Sequence, residues 1–120
     1  MATKIVPMIH VQDVKATVDW YVSIGFRFNQ WNEEDGEVNW ASVSLNGSDV
    51  MFNLGGKPSA EWRREFDLYI QVDDVDQVAR RIRDKVDIVE DVHDTFYGMR
   101  EFIIRDVNRF WIAFGQPVKA

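Results

Sequence analysis

The 120-residue chain contains no cysteine. Disulfides, thiolate metal sites and cysteine nucleophiles are thereby excluded together, and the composition suits a reducing compartment. The chain also lacks any apolar run approaching the roughly 20 residues that a membrane helix needs. Its N-terminal stretch, MATKIVPMIHVQD, has neither the cationic head nor the long apolar core of a signal peptide, so a cytoplasmic protein without membrane association is expected. Positive charge is in deficit as well: 14 basic against 20 acidic residues give a formal net charge of −6. Such a balance repels phosphate backbones and argues against nucleic acid as a partner; a ligand guided by charge would be neutral or cationic. Modest acidity also serves solubility alone. What remains is a globular balance, 46% hydrophobic and 28% charged, in a length suited to one domain over residues 1–120.

The chain repeats itself. Residues 4–11 and 66–72 are apolar or alternating, and each is followed at once by an Asp and a helix-period segment. Setting Ile9-His-Val-Gln-Asp-Val14 under Ile70-Gln-Val-Asp-Asp-Val75 matches Ile, Val, Asp and Val at a constant offset of 61 residues, half the chain. Asp13 and Asp74 stand where an N-cap belongs, their carboxylates able to accept the free N–H groups of a first helical turn, and Gln77 follows Asp74 at capping-box spacing. The first helix is expected over 14–23, with Val14, Val18 and Tyr21 on one stripe and Gly25 as its C-cap. Strands are expected over 26–31, 38–45 and 49–54, joined by Asp35-Gly36 and by Asn46-Gly47, the latter a strong hairpin signal. After the breaker cluster Gly55-Gly56-Lys57-Pro58-Ser59 the pattern recurs: strand 66–72, helix 75–84, strands near 86–92, 99–105 and 110–115. The reading is α+β, with one βαβββ module over 3–57 and a second over 64–117.

Alternation assigns the strand faces. Ile5, Pro7, Ile9 and Val11, then Val50 and Phe52, then Leu68, Ile70 and Val72, then Phe110, Ile112 and Phe114 belong on the helix side. The opposite face takes Val6, Met8 and His10; Trp40, Ser42 and Ser44; Met51 and Asn53; Asp67, Tyr69 and Gln71; Trp111 and Ala113. That mixture of polar and aromatic groups has the character of a small-molecule cavity lining.

Pro7-Met-Ile-His-Val-Gln-Asp-Val14, Trp20-Tyr21, Ile24-Gly25-Phe26, Tyr97-Gly-Met-Arg-Glu-Phe102, Asp106 and Phe114-Gly115 resemble the opening and closing signatures of glyoxalase and bleomycin-resistance proteins, within the vicinal oxygen chelate superfamily. The match covers nearly the whole chain. The resemblance implies two tandem modules forming a curled eight-stranded mixed sheet around a cavity, commonly completed by a second chain, so a homodimer is expected. The superfamily's metal enzymes place ligands in the first and last strands of each half, where they chelate a divalent ion. By register those positions fall on Val6, Asn53, Asp67 and Ala113. A hard cation takes oxygen or imidazole ligands, which Val6 and Ala113 lack, so neither metal nor any other cofactor is expected. The turn Asp106-Val-Asn-Arg109 departs from the family's Asp-Pro-x-Gly.

Of the two histidines, His10 stands on the cavity face, where it either contacts ligand, with the option of accepting a proton, or hydrogen-bonds a strand neighbour. His93 lies in the acidic stretch Glu90-Asp-Val-His-Asp94 and reads as solvated loop. Ser42 and Ser44 have no G-x-S-x-G turn or adjoining base and read as polar lining. Five tryptophans are many for this length. Trp20, Trp31 and Trp62 suit core, edge or interface positions, whereas Trp40 and Trp111, with Phe96 and Tyr97, fall on or beside the cavity. Flat rings favour a cationic aromatic guest, with Asp67 and Glu101 supplying compensating charge. The expected ligand-binding set is His10, Trp40, Ser42, Asn53, Asp67, Tyr69, Phe96, Tyr97, Glu101 and Trp111. The leading function is metal-free binding that sequesters a small cationic aromatic antibiotic without catalysis. The alternatives are a metal-free lyase or isomerase using His10 or Asp67 as base, a metal-dependent or dioxygenase-like enzyme of the same superfamily with its ligands in another register, and a regulatory or dimerisation module whose cavity is only structural.

Overall fold

A computed structural model describes residues 4–55 and 66–118. It contains two βαβββ modules, in two compact units bounded at Met1–Glu61 and Trp62–Ala120. In the first, β1 (Met8–Val11) leads into α1 (Val14–Ser23), followed by β2 (Arg27–Glu34), β3 (Glu37–Leu45) and β4 (Ser48–Leu54). In the second, β5 (Leu68–Gln71) leads into α2 (Val75–Ile82), extended by a 3₁₀ turn (Arg83–Lys85), then β6 (Asp87–Asp94), β7 (Met99–Arg105) and β8 (Trp111–Pro117). Each sheet has four strands in the same order, β1-β4-β3-β2 and β5-β8-β7-β6; the first strand runs parallel to the last and the other pairings are antiparallel.

Local chemistry sets the element ends. The Asp13 carboxylate accepts the Ala16 N–H at 3.0 Å and the Asp74 carboxylate accepts the Gln77 N–H at 3.1 Å, so both expected caps form. Asn46 and Gly47 both have positive φ, 49° and 86°, and Asp35 and Gly36 follow suit at 50° and 80°. These are the conformations a right-twisted two-residue hairpin demands. Beneath α1, Val14, Val18 and Tyr21 meet Ile9, Val11, Ala41, Val43, Val50 and Phe52, all buried; the Tyr21 ring stands 4.8 Å from Phe52 and 5.0 Å from Phe26. Beneath α2, Val75, Ala79 and Ile82 cover Phe102, Ile104, Phe110, Ile112 and Phe114. Burying such side chains stabilises each module by about 1.5–3 kcal/mol per residue before entropy is subtracted.

Two expectations shift. Strand β1 begins at Met8 rather than Lys4, because its partner ladder starts at Met8 opposite Met51; Pro7 is exposed and Ile5 is 90% exposed instead of facing the helix. Strand β6 runs on through His93 and Asp94, so His93 lies in a strand and not in a loop. The breaker cluster from Gly56 onward and Trp62 lie outside the described residues.

The last hairpin carries a local cost. Asp106 accepts the Asn108 N–H on its side chain and the Arg109 N–H on its carbonyl at 2.9 Å, and this turn drives Arg109 to φ 77°, a region a Cβ disfavours. Arg109→Gly is therefore expected to stabilise the protein by about 0.5–1 kcal/mol, the left-handed penalty less the added entropy of an unfolded glycine. Chemical denaturation measures it, and a destabilised variant contradicts the assignment.

Candidate functional site

Alternation leaves each sheet with a second face, away from its helix. In the first module the register places His10, Asn53 and Trp40 side by side on β1, β4 and β3, with Met8, Met51 and Ser42 in the next row. Ser42 accepts a hydrogen bond from Asn29 Nδ2 at 3.1 Å, and Asn29 Oδ1 in turn accepts from Ser44 Oγ at 3.1 Å. The Asn53 Oδ1 atom is buried with no hydrogen-bond partner among the described residues, a cost of about 1–3 kcal/mol for an amide oxygen removed from water. This row is polar, with an imidazole at one edge and an indole at the other.

The second module carries charge on the equivalent face. Tyr69 lies on β5 opposite Ala113 of β8, and Glu101 lies on β7 opposite Gly115 of β8. Glu101 is only 2% exposed. Each of its carboxylate oxygens accepts a phenol hydroxyl: Tyr69 donates to Oε2 at 2.8 Å and Tyr97, from the β6–β7 turn, donates to Oε1 at 2.7 Å. O–H to carboxylate bonds are among the stronger protein hydrogen bonds. Desolvation, and then the bond to Glu101, push the Tyr69 phenol up to about 12; the bond to Glu101 raises Tyr97 too. Both phenols are thus neutral donors at physiological pH. Their rings remain half exposed, 48% for Tyr69 and 57% for Tyr97, and the fully exposed Phe96 stands edge-to-face on Tyr97 at 5.1 Å.

Gly115 is the residue that sequence reasoning passed over. A Cβ at this position would collide with the hydroxyl and ring of Tyr69, so only glycine lets that ring cross β8 to reach Glu101. The available signal was a glycine inside a strand pattern, which marks close approach by another group.

Of the ten expected ligand-binding residues, Tyr69, Tyr97 and Glu101 form one hydrogen-bonded cluster with Phe96 against it. Asp67 and Trp111 are joined separately, the Asp67 carboxylate accepting the Trp111 backbone N–H at 3.2 Å. His10, Trp40 and Asn53 share a row on the first sheet with Ser42 one row away. His93 engages Glu90, Nε2 to Oε2 3.2 Å, through exposed side chains. A concavity of about 340 Å³ also opens at the start of α2, among Asp73, Asp74, Asp76, Asp94, Arg100 and Gln116. Its one cation, Arg100, is held by Asp76 at 3.1 Å and Asp94 at 2.8 Å, which raise the guanidinium further above its ordinary range and lower the Asp76 carboxyl.

A divalent ion does not fit the donors present. The last-strand position Ala113 offers no ligand atom, Asp67 already accepts a backbone N–H, and among the described residues no group of three His, Asp or Glu side chains converges.

The fold and these positions bear comparison with known proteins. The family described as Glyoxalase/Bleomycin resistance protein/Dioxygenase superfamily matches residues 5–114. No curated protein matches the sequence. Among solved structures, TioX from Micromonospora sp. ML1 is similar with TM-score 0.80 and 24% identity over 98% of this chain and 100% of that one. TnmS3, an antibiotic binding protein from Streptomyces sp. CB03234, is similar with TM-score 0.73 and 22% identity over 98% and 97%. A bleomycin resistance determinant encoded on the transposon Tn5 is similar with TM-score 0.77 and 13% identity over 97% and 98%. At these identities the structural likenesses speak for the fold, and the family match, spanning most of the sequence, carries the assignment: the chain belongs to the glyoxalase/bleomycin resistance protein/dioxygenase superfamily.

Proposed function

We propose that the protein is a metal-free, non-catalytic binder of a small cationic aromatic compound of antibiotic type, acting in the cytoplasm as a homodimer. The observation that carries this reading is the buried Glu101 carboxylate with a phenol on each oxygen and exposed aromatic rings around it. A buried charge is costly unless paired. Among the described residues no Lys, Arg or His forms an ion pair with Glu101; His93 and Arg100, its nearest candidates in sequence and register, are engaged by Glu90, Asp76 and Asp94. Two hydrogen bonds stabilise the anion without neutralising it. A cationic guest lying against Tyr69, Tyr97 and Phe96 would complete the pairing while gaining stacking and cation–π energy of about 0.5–2 kcal/mol per ring. The comparison with an antibiotic binding protein and a bleomycin resistance determinant supports the class of guest.

A dimer is supported by β2. All eight of its residues are exposed although it is paired to β3, and Phe28 and Trp31 present an edge-to-face pair at 5.1 Å on that open edge. Unpaired edges carrying aromatic groups favour association with another chain. Light scattering at micromolar concentration is expected to give twice the chain mass; a monomer removes the dimer from the proposal.

Titrating bleomycin and other cationic aromatics while following tryptophan fluorescence is expected to give saturable binding with no product formed. Elemental analysis of the same sample is expected to find no stoichiometric nickel, zinc, iron or manganese. One tightly held metal per chain, or turnover, would favour the enzyme reading instead.

The phenol pair also sets an alkaline limit. Tyr69 is raised in the folded state from 10.0 to about 12, so folding favours its protonated form. That stabilisation is complete below pH 10 and disappears as pH climbs through 12. Denaturation midpoints should fall across this window in the parent protein and fall less in Tyr69→Phe; equal losses in both contradict the Tyr69–Glu101 bond.

A further inference from the structure

The way Glu101 is capped says more about its guest than that the guest is positive. Resting on the cationic-guest reading above, we infer that this face selects a permethylated onium group, one with no N–H to donate, over a primary ammonium or guanidinium of similar size. Three observations lead there.

First, the carboxylate is not offered as a hydrogen-bond acceptor. Oε1 and Oε2 each receive a phenol, at 2.7 and 2.8 Å, and the residue is 2% exposed. A guest approaching from solvent meets rings, because Tyr69, Tyr97 and Phe96 are the exposed members of the cluster. Second, the hydroxyl of each tyrosine is drawn inward to the buried Glu101, and that of Tyr69 lies against Gly115, so a guest meets the ring faces before the acceptor lone pairs of the oxygens. Third, the missing Cβ of Gly115 leaves room for the Tyr69 ring to lie across β8, and the bond to Glu101 holds it there as a surface over the buried charge.

The consequence follows from desolvation. A primary ammonium surrenders up to three hydrogen bonds to water when it is pressed against aromatic rings, and ring faces replace them poorly. A trimethylammonium carries the same unit charge, forms no such bonds in water, and spreads its charge over methyl groups that pack on ring faces. The buried carboxylate still acts on it through the rings: phenols that donate to an anion are polarised toward the ring, and the low local dielectric preserves the attraction over the added distance. Glu101 is in this account a positioning and polarising residue, and Tyr69 and Tyr97 are the groups that touch the guest.

The test compares three probes of one shape class, benzyltrimethylammonium, benzylammonium and the uncharged benzyl alcohol, by calorimetry at neutral pH on the full-length protein. Benzyltrimethylammonium is expected to bind about tenfold more tightly than benzylammonium. Glu101→Gln, which keeps the shape and an acceptor for one phenol while its amide N–H donates to the oxygen of the other, is expected to bring the trimethylated probe down to the level of benzyl alcohol. Tyr69→Phe uncaps one carboxylate oxygen and is expected to narrow the preference by improving benzylammonium, a change in selectivity that a merely structural role for Tyr69 would not produce. Should Glu101→Gln fail to fold, Tyr69→Phe and Tyr97→Phe carry the test, since each removes a single hydroxyl. Benzylammonium binding as well as or better than benzyltrimethylammonium overturns the inference while leaving the cationic-guest reading intact. If neither cation binds better than benzyl alcohol, both fall together.

Discussion

A carboxylate that is 2% exposed constrains everything around it, and the second module is arranged about that constraint. Glu101 needs donors on both oxygens. One comes from β5 and one from the β6–β7 turn, so satisfying a single side chain ties the first strand of the module to the hairpin of its second and third. The Tyr69 bond further requires that β8, which lies between β5 and β7, carry no side chain at Gly115. Sheet order, glycine placement and phenol neutrality are thus linked through one charge.

The two modules share a backbone plan and differ in the chemistry of the face their helices leave open. Asp13 and Asp74 cap equivalent helices, and each sheet pairs its first strand in parallel with its last. On the open face of the first module Asn29, Ser42 and Ser44 bond one another, Asp49 beside Ser44 pairs with Lys4, and among the described residues the buried Asn53 oxygen has no donor. The open face of the second holds an anion under aromatic rings. The repeat at an offset of 61 residues accounts for the common frame, and the side chains on the open faces account for the difference in chemistry, an amide at Asn53 in one module and a carboxylate at Glu101 in the other.

Much of this architecture was legible before any coordinates. The Asp caps, the Asn46-Gly47 turn and the strict alternation of Phe110, Ile112 and Phe114 are short-range signals, each written in a few neighbouring residues. They yielded the helix over 14–23 and the strand over 99–105 as found. Alternation also put Tyr69 on the open face, ring chemistry pointed to Tyr97, and the charge a cationic guest would need pointed to Glu101. What the residues could not announce was that these three are bonded, because the contact joins positions 32 and 4 apart and depends on the absence of a side chain at a fourth. Ile5 misled for the opposite reason: its apolar alternation is real, but a strand needs a ladder, and β4 supplies one only from Met8 onward. His93 looked solvated from its acidic neighbours, yet β7 extends pairing as far as Asp94 opposite Arg100.

The central claim is that a cation is recognised by the aromatic surface over Glu101, and amide and side-chain chemical-shift mapping locates such an event directly. On adding benzyltrimethylammonium, the largest perturbations are expected at Tyr69, Phe96, Tyr97 and Glu101. Perturbations centred instead on the acidic concavity at the start of α2, on β2, or nowhere at saturating probe would contradict the account.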